Sequence, residues 1–300
     1  MSNLSYDQII FKASHNSYER DESLSEQLTF NINNPSDGGC MAVEFDIWRH
    51  SSSYIPGESI SDEYFTVAHV TPGNDKLSNY LNQLLIWHNN NTNHYPVLIY
   101  LDIKSSNNGY SNFHDEIDTY LKCYFSEEVI YKPGNLFIDP SKSLCENVVN
   151  YGWPDIDSID MRGKFIFCLS GNEEWKTEYA NNNIKKRYCF SDQNRSDNDP
   201  NVKPPVEGNF VFFNFHIYNS HKDVWMNTIP PFTDKRLITR TYLSNSEKNW
   251  NNCIEANVTA IATDKISNHD WAKVSNNNVY RKKTGISNRS SLKKERATTV

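Results

Sequence analysis

Four short stretches carry side chains that an ordinary buried strand lacks. Lys12-Ala13-Ser14-His15-Asn16-Ser17-Tyr18 follows the apolar run Ile9-Ile10-Phe11 and offers an imidazole beside an amide. The run at 41–47 holds Glu44 and Asp46, that at 65–70 holds His69, and that at 97–103 holds Asp102, with Lys104 just beyond. Three carboxylates and the Asn16 amide oxygen form an all-oxygen donor set. Such a set suits a hard divalent cation, Ca2+ ahead of Mg2+, rather than zinc. Two histidines beside it suggest a general acid/base pair, and Lys104 adds fixed positive charge. Together these groups would move protons between oxygens while stabilising charge on phosphoryl oxygens, which is the chemistry of phosphodiester cleavage. Taken singly, either histidine is more commonly a surface or core-satisfied residue; the ordered set is much stronger evidence.

The elements that must position these groups are strands. In Val43-Glu44-Phe45-Asp46-Ile47, two-residue alternation puts both acids on one face, so a cation must sit between them or one must hold a proton. The run at 97–103 is apolar on both faces, as in a parallel strand covered on both sides, and Asp102 shares a face with Lys104. Leucines at 77, 81, 84 and 85 with His88 mark an amphipathic helix over 76–90, and Phe113, Ile117, Leu121 and Tyr124 mark the next. Residues 144–151 and 246–257 read as further helices, and 164–169, 210–217, 237–242 and 259–263 as further strands, the last ending at Asp264. Counting 65–70 as the third, eight strands with helical intervals predict an α/β fold, a TIM-type (β/α)8 barrel distorted where helices look short. The stretch 171–208 is too long and polar for an ordinary connection and reads as an excursion or lid over the mouth.

With 300 residues the chain suits one such barrel over 1–279, followed by a basic, disordered tail at 280–300. From Arg281 onward seven basic residues face one acid, Glu295, so the body carries the negative charge of a chain whose net charge is −7. That balance argues against nucleic-acid binding by the body, while the tail suits an anionic surface. No apolar run is long enough to span a bilayer, and no signal peptide precedes the first strand. The expectation is a monomer that is cytoplasmic or exported by a non-classical route, peripheral at membranes. Six scattered cysteines form no zinc spacing; they read as free thiols, with a disulfide or two as the other reading.

The chain resembles the phosphatidylinositol-specific phospholipase C superfamily, in its calcium-dependent bacterial branch and the eukaryotic X-domain. The resemblance rests on Ala13-Ser14-His15-Asn16-Ser17-Tyr18, Val43-Glu44-Phe45-Asp46-Ile47-Trp48, Val67-Ala68-His69 and Pro96-Val97-Leu98-Ile99-Tyr100-Leu101-Asp102-Ile103-Lys104. It continues through Tyr151-Gly152-Trp153-Pro154, Met161-Arg162-Gly163-Lys164 and Ala262-Thr263-Asp264, and so spans about residues 8 to 270. It implies His15 and His69 as the catalytic pair, Asn16, Glu44, Asp46 and Asp102 as calcium ligands, and Lys104 near the phosphate. Glu44 is an alternative base, and Arg240, in the 237–242 run, is a second substrate-binding candidate beside Lys104. The implied reaction is attack of the inositol 2-hydroxyl on its own phosphodiester, giving diacylglycerol and inositol 1,2-cyclic phosphate. Where X-domain enzymes place lysines after the fifth strand, this chain reads Cys168-Leu169-Ser170-Gly171-Asn172, which points to phosphatidylinositol or a glycosylated relative as the membrane-borne substrate. Any membrane grip would come from 48–63, 171–208 or the tail. Competing readings are a sphingomyelinase D-like or glycerophosphodiester-type phosphodiesterase, which resembles the Glu44, His69 and Asp102 stretches but not Asn16-Ser17-Tyr18, and an inactive inositol-lipid-binding module.

Overall fold

In a computed structural model of the chain, eight parallel strands close into a barrel; the residues described are 4–50, 61, 63–105, 112–199, 202–218 and 221–286. In chain order the strands are β1 (Ile9–Ser14), β2 (Ala42–Arg49), β3 (Phe65–Val67), β4 (Val97–Ile103), β5 (Phe165–Gly171), β6 (Cys189–Ser196), β7 (Phe212–His216), β8 (Ile238–Thr241), β9 (Ala260–Thr263) and β10 (Tyr280–Lys282). The barrel runs β1-β2-β4-β5-β6-β7-β8-β9 and returns to β1, all pairings parallel. Around it lie α1 (Leu24–Leu28), α2 (Leu77–Asn90), α3 (Phe113–Lys122), α4 (Leu144–Tyr151), α5 (Glu173–Asn181), α6 (Lys222–Thr228), α7 (Pro230–Thr233) and α8 (Glu247–Glu255). The fold is the TIM-type barrel expected. Several of its helices have two turns or fewer.

Strand membership differs from the sequence reading in two places. The third strand-like run is not a barrel strand. β3 lies antiparallel to the far end of β2, with Ile47 opposite Val67 and Arg49 opposite Phe65, and carries His69 back over the mouth. The eighth barrel strand instead comes from the stretch read as a lid, since 171–208 contains α5 and β6. β6 ends in Asp192-Gln193-Asn194-Arg195-Ser196, too polar to announce itself, because part of what it buries is an ion pair. Lys176 Nζ of α5 lies 2.6 Å from Asp192 Oδ1, and both side chains are wholly buried.

The tail also begins later than expected. Tyr280–Lys282 pairs antiparallel with β1, Ile9 opposite Lys282 and Phe11 opposite Tyr280. The reason is a seam: β1 and β2 bridge at Ala13 and Ala42, leaving the early half of β1 open on that side. Lys283 is buried and donates to Thr259 Oγ1 at 2.7 Å. The rest of the tail from 287, and residues 51–60 and 62 of the expected membrane-facing loop, lie outside the described residues. All six cysteines are free thiols, and among the described residues no helix is long and apolar enough to cross a membrane.

Candidate active site

Strand register levels the key acids. Asp46 of β2 lies opposite Asp102 of β4, and Asp102 lies opposite Ser170 of β5. Glu44 and Asp46 are almost fully buried, so the strand does not turn its acids to water; cations come to them instead. Arg240 Nη2 of β8 lies 2.7 Å from Glu44 Oε2. Lys104 Nζ lies 3.2 Å from Asp46 Oδ2 and 2.9 Å from Asp102 Oδ2. Burial raises the Glu44 carboxyl, but Arg240, His15, the Asn16 amide and Lys104 outweigh it, and the net shift is downward. Asp46 shifts upward, by burial first and then by the neighbouring Asp102 carboxylate, against which Lys104 acts.

Each histidine is held through Nδ1 by a carboxylate. His15 leaves β1 just before a left-handed Asn16 (φ 43°, ψ 58°). Its Nδ1 lies 2.8 Å from Asp264 Oδ1, beyond β9, and its Nε2 lies 4.0 Å from Glu44 Oε2. Asp264 is fixed in turn: its backbone N–H donates to Asn245 Oδ1 at 2.7 Å, Asn245 Nδ2 donates to its Oδ2, and Arg20 Nη1 lies 3.4 Å from its Oδ1. Burial raises the Asp264 carboxyl, but bonding to His15 and the charges of His15 and Arg20 bring it below the ordinary value. His69 Nδ1 lies 2.8 Å from Asp46 Oδ2 and 3.3 Å from Asn16 Nδ2, and half its side chain is exposed. The Asn16 backbone N–H donates to Glu44 Oε2 at 3.2 Å. The left-handed turn therefore aims one residue's main chain and side chain at two members of the set.

His15, Asn16, Glu44, His69, Asp102, Lys104 and Arg240 line one cavity of about 580 Å³. Asp46 lies behind that lining, in contact with His69 and Lys104. All the candidates drawn from the sequence thus converge. The rest of the wall includes Ser170, Asn172, Asn194, Asn214 and Tyr242. Tyr242 lies nearly parallel to the His15 ring, 15° between planes, and Asn214 Oδ1 accepts from Arg240 Nη1 at 3.3 Å. These wall residues and Asp264 were not singled out from the sequence as site residues. For Asp264 a signal existed, since an acid directly follows the apolar run of β9. The asparagines gave none in a chain whose loops are rich in that residue.

Glu44, Asp46 and Asp102 each offer one oxygen, and the three lie within 4.8 Å of one another. Asp46 Oδ1 and Asp102 Oδ1 are buried and accept no hydrogen bond from the described residues. Two orphaned buried carboxylate oxygens leave coordination capacity for a cation. Gly171 keeps the space open, since a Cβ there would lie 2.0 Å from Asp102 Oδ1. The residues therefore fit a hard divalent cation.

The chain matches the family model for Phosphoinositide phospholipase C, Ca2+-dependent, over residues 62–204, a span that includes His69, Asp102 and Lys104. Over those residues the chain is similar to the calcium-dependent phosphoinositide phospholipases C. Its fold is that of the calcium-dependent phosphoinositol-specific phospholipase C from Pseudomonas sp. (TM-score 0.67, 19% identity, covering 93% of this chain and 96% of that one). The calcium-dependent phosphatidylinositol-specific phospholipase C from Streptomyces antibioticus is similar as well (TM-score 0.61, 16% identity, 87% and 95% covered). No curated protein matches the sequence. The Glu44–Asp46–Asp102 cluster is the candidate cation site, in keeping with the calcium dependence of the family that the model describes.

Proposed function

We propose that the protein cleaves phosphatidylinositol, or a glycosylated relative, to diacylglycerol and inositol 1,2-cyclic phosphate. The observation that carries this reading is the pairing of each histidine, through Nδ1, to a carboxylate, with both rings lining the cavity that holds the acid cluster. An imidazole that donates from Nδ1 presents a free Nε2 for proton transfer. His15 takes the proton of the inositol 2-hydroxyl at Nε2, and Asp264 stabilises the imidazolium that forms. The 2-oxygen bonds to phosphorus, the bond from phosphorus to the glycerol oxygen breaks, and His69, which starts the step with a proton on Nε2 as well as Nδ1 and has Asp46 as its counter-charge, protonates that leaving oxygen and is left neutral. Glu44, paired with Arg240 and shifted down, is better suited to hold charge than to act as the base.

Glu44, Asp46 and Asp102, with Asn16 beside them, would hold calcium. Bound there, calcium neutralises charge on the phosphoryl oxygens and makes the 2-hydroxyl more acidic. Lys104 and Arg240 are the cations available to the phosphate and ring. The wall of Ser170, Asn172, Asn194 and Asn214 is uncharged and suits ring hydroxyls rather than ring phosphates. The test is phosphorus NMR of the protein with phosphatidylinositol micelles, first with calcium and then with excess chelator. A cyclic inositol phosphate signal dependent on calcium is expected. No product under either condition would sink the reading.

A further inference from the structure

We infer that Lys104 is an internal counter-cation of the carboxylate cluster, one that opposes divalent-cation binding and is released toward the phosphate when that cation binds. This rests on the reading of Glu44, Asp46 and Asp102 as a cation site. Lys104 Nζ contacts Asp46 Oδ2 and Asp102 Oδ2, while the Oδ1 atoms of the same carboxylates are buried without hydrogen-bond partners among the described residues. Each carboxylate thus has one oxygen committed to the ammonium and one open. A divalent cation that takes the open oxygens lies within a carboxylate's width of the ammonium. In a site this buried, water does little to screen the repulsion between them.

The other cations facing the cluster are placed differently. Of the three carboxylates, Arg240 is paired with Glu44 and His69 with Asp46. Lys104 spans two carboxylates, keeps a quarter of its side chain exposed, and lines the cavity on a flexible stem. Once a divalent cation draws on the carboxylates, their hold on the ammonium weakens, and Lys104 is free to meet an anion in the cavity. Coupling of this kind is reciprocal, so an anion that engages Lys104 also tightens the divalent cation. Metal loading and assembly of the phosphate site become one event.

The experiment is calorimetric titration of calcium into wild type, K104Q and K104R, each with and without myo-inositol 1-phosphate. Circular dichroism melts check the fold, and K104M replaces K104Q if the latter does not fold. K104Q is expected to bind calcium about tenfold or more tightly than wild type. K104R, which keeps the charge, should stay close to wild type, and the tightening by inositol phosphate should shrink in K104Q. Unchanged or weaker calcium binding by K104Q overturns the role of Lys104 and leaves the proposed reaction standing. Equal tightening in K104R overturns it too, and absence of calcium binding in every variant overturns it together with the cation site.

Discussion

Arg240 Nη2 stands 2.7 Å from Glu44 Oε2, an ion pair joining β8 to β2 across the barrel interior with both residues almost fully buried. Breaking a buried pair by removing one partner leaves a charge with nothing to offset its desolvation. R240M is therefore expected to destabilise the protein by about 3–5 kcal/mol. The double variant R240M/E44Q should lose less than the two single changes together. Urea unfolding of the four proteins measures this; strict additivity would show that the pair is not coupled.

In the proposed reaction Asp264 acts through His15, whose Nδ1 it holds at 2.8 Å. D264N keeps the shape but loses the carboxylate that orients the ring and offsets its charge. Turnover of phosphatidylinositol should fall by roughly 10² to 10⁴-fold with little change in KM. A rise in KM at constant kcat would show that Asp264 serves binding instead.

At Gly171 (φ +81°), a Cβ would lie 2.0 Å from Asp102 Oδ1 and 2.4 Å from the Ile103 carbonyl oxygen. The left-handed backbone disfavours any other residue as well. G171A is expected to push Asp102 off its position and so weaken calcium binding, even where the barrel still folds. Calcium titration followed by the shift in melting temperature reads this out, and an unchanged shift would contradict it.

Lys283 gives a pH dependence far from the mouth. Burial brings its ammonium down from 10.5 to about 7, against a partial counter-effect from Asp7. Its folded pKa lies below its unfolded one, so between pH 7 and 10.5 the unfolded chain holds more protons and stability rises with pH. The cost of burying the charge is largest below pH 7, on the order of 4–5 kcal/mol, and disappears above pH 10.5. Subtracting the stability profile of K283M from that of wild type isolates this slope; parallel profiles would refute it.

What could be read from the sequence was whatever breaks the expected polarity of a strand. Glu44, Asp46 and Asp102 stand out because acids do not belong in apolar runs, and all three meet at one mouth. The same logic hid β6. Its Asp192 is buried against Lys176, a partner sixteen residues away that no local pattern reveals. Local pattern also cannot separate a parallel barrel strand from an antiparallel arm, so the run 65–70 reads as a barrel strand although Phe65–Val67 pairs antiparallel with β2 and presents His69. The basic Tyr280-Arg281-Lys282 reads as tail because its place depends on a gap between β1 and β2, a property of the closed barrel and not of those residues.

That seam sets an order of events in synthesis. β1 leaves the ribosome well ahead of its partners along most of its length, β9 and β10, which follow more than 240 residues later. Until those emerge, Ile9, Ile10 and Phe11 have an unpaired backbone and a half-made site beside them, since Asp264 arrives with β9 to hold His15. Closure of the barrel and completion of the His15–Asp264 pair are therefore late and simultaneous, and nascent chains stalled before residue 260 carry an open strand edge exposed to wrong partners and to chaperones.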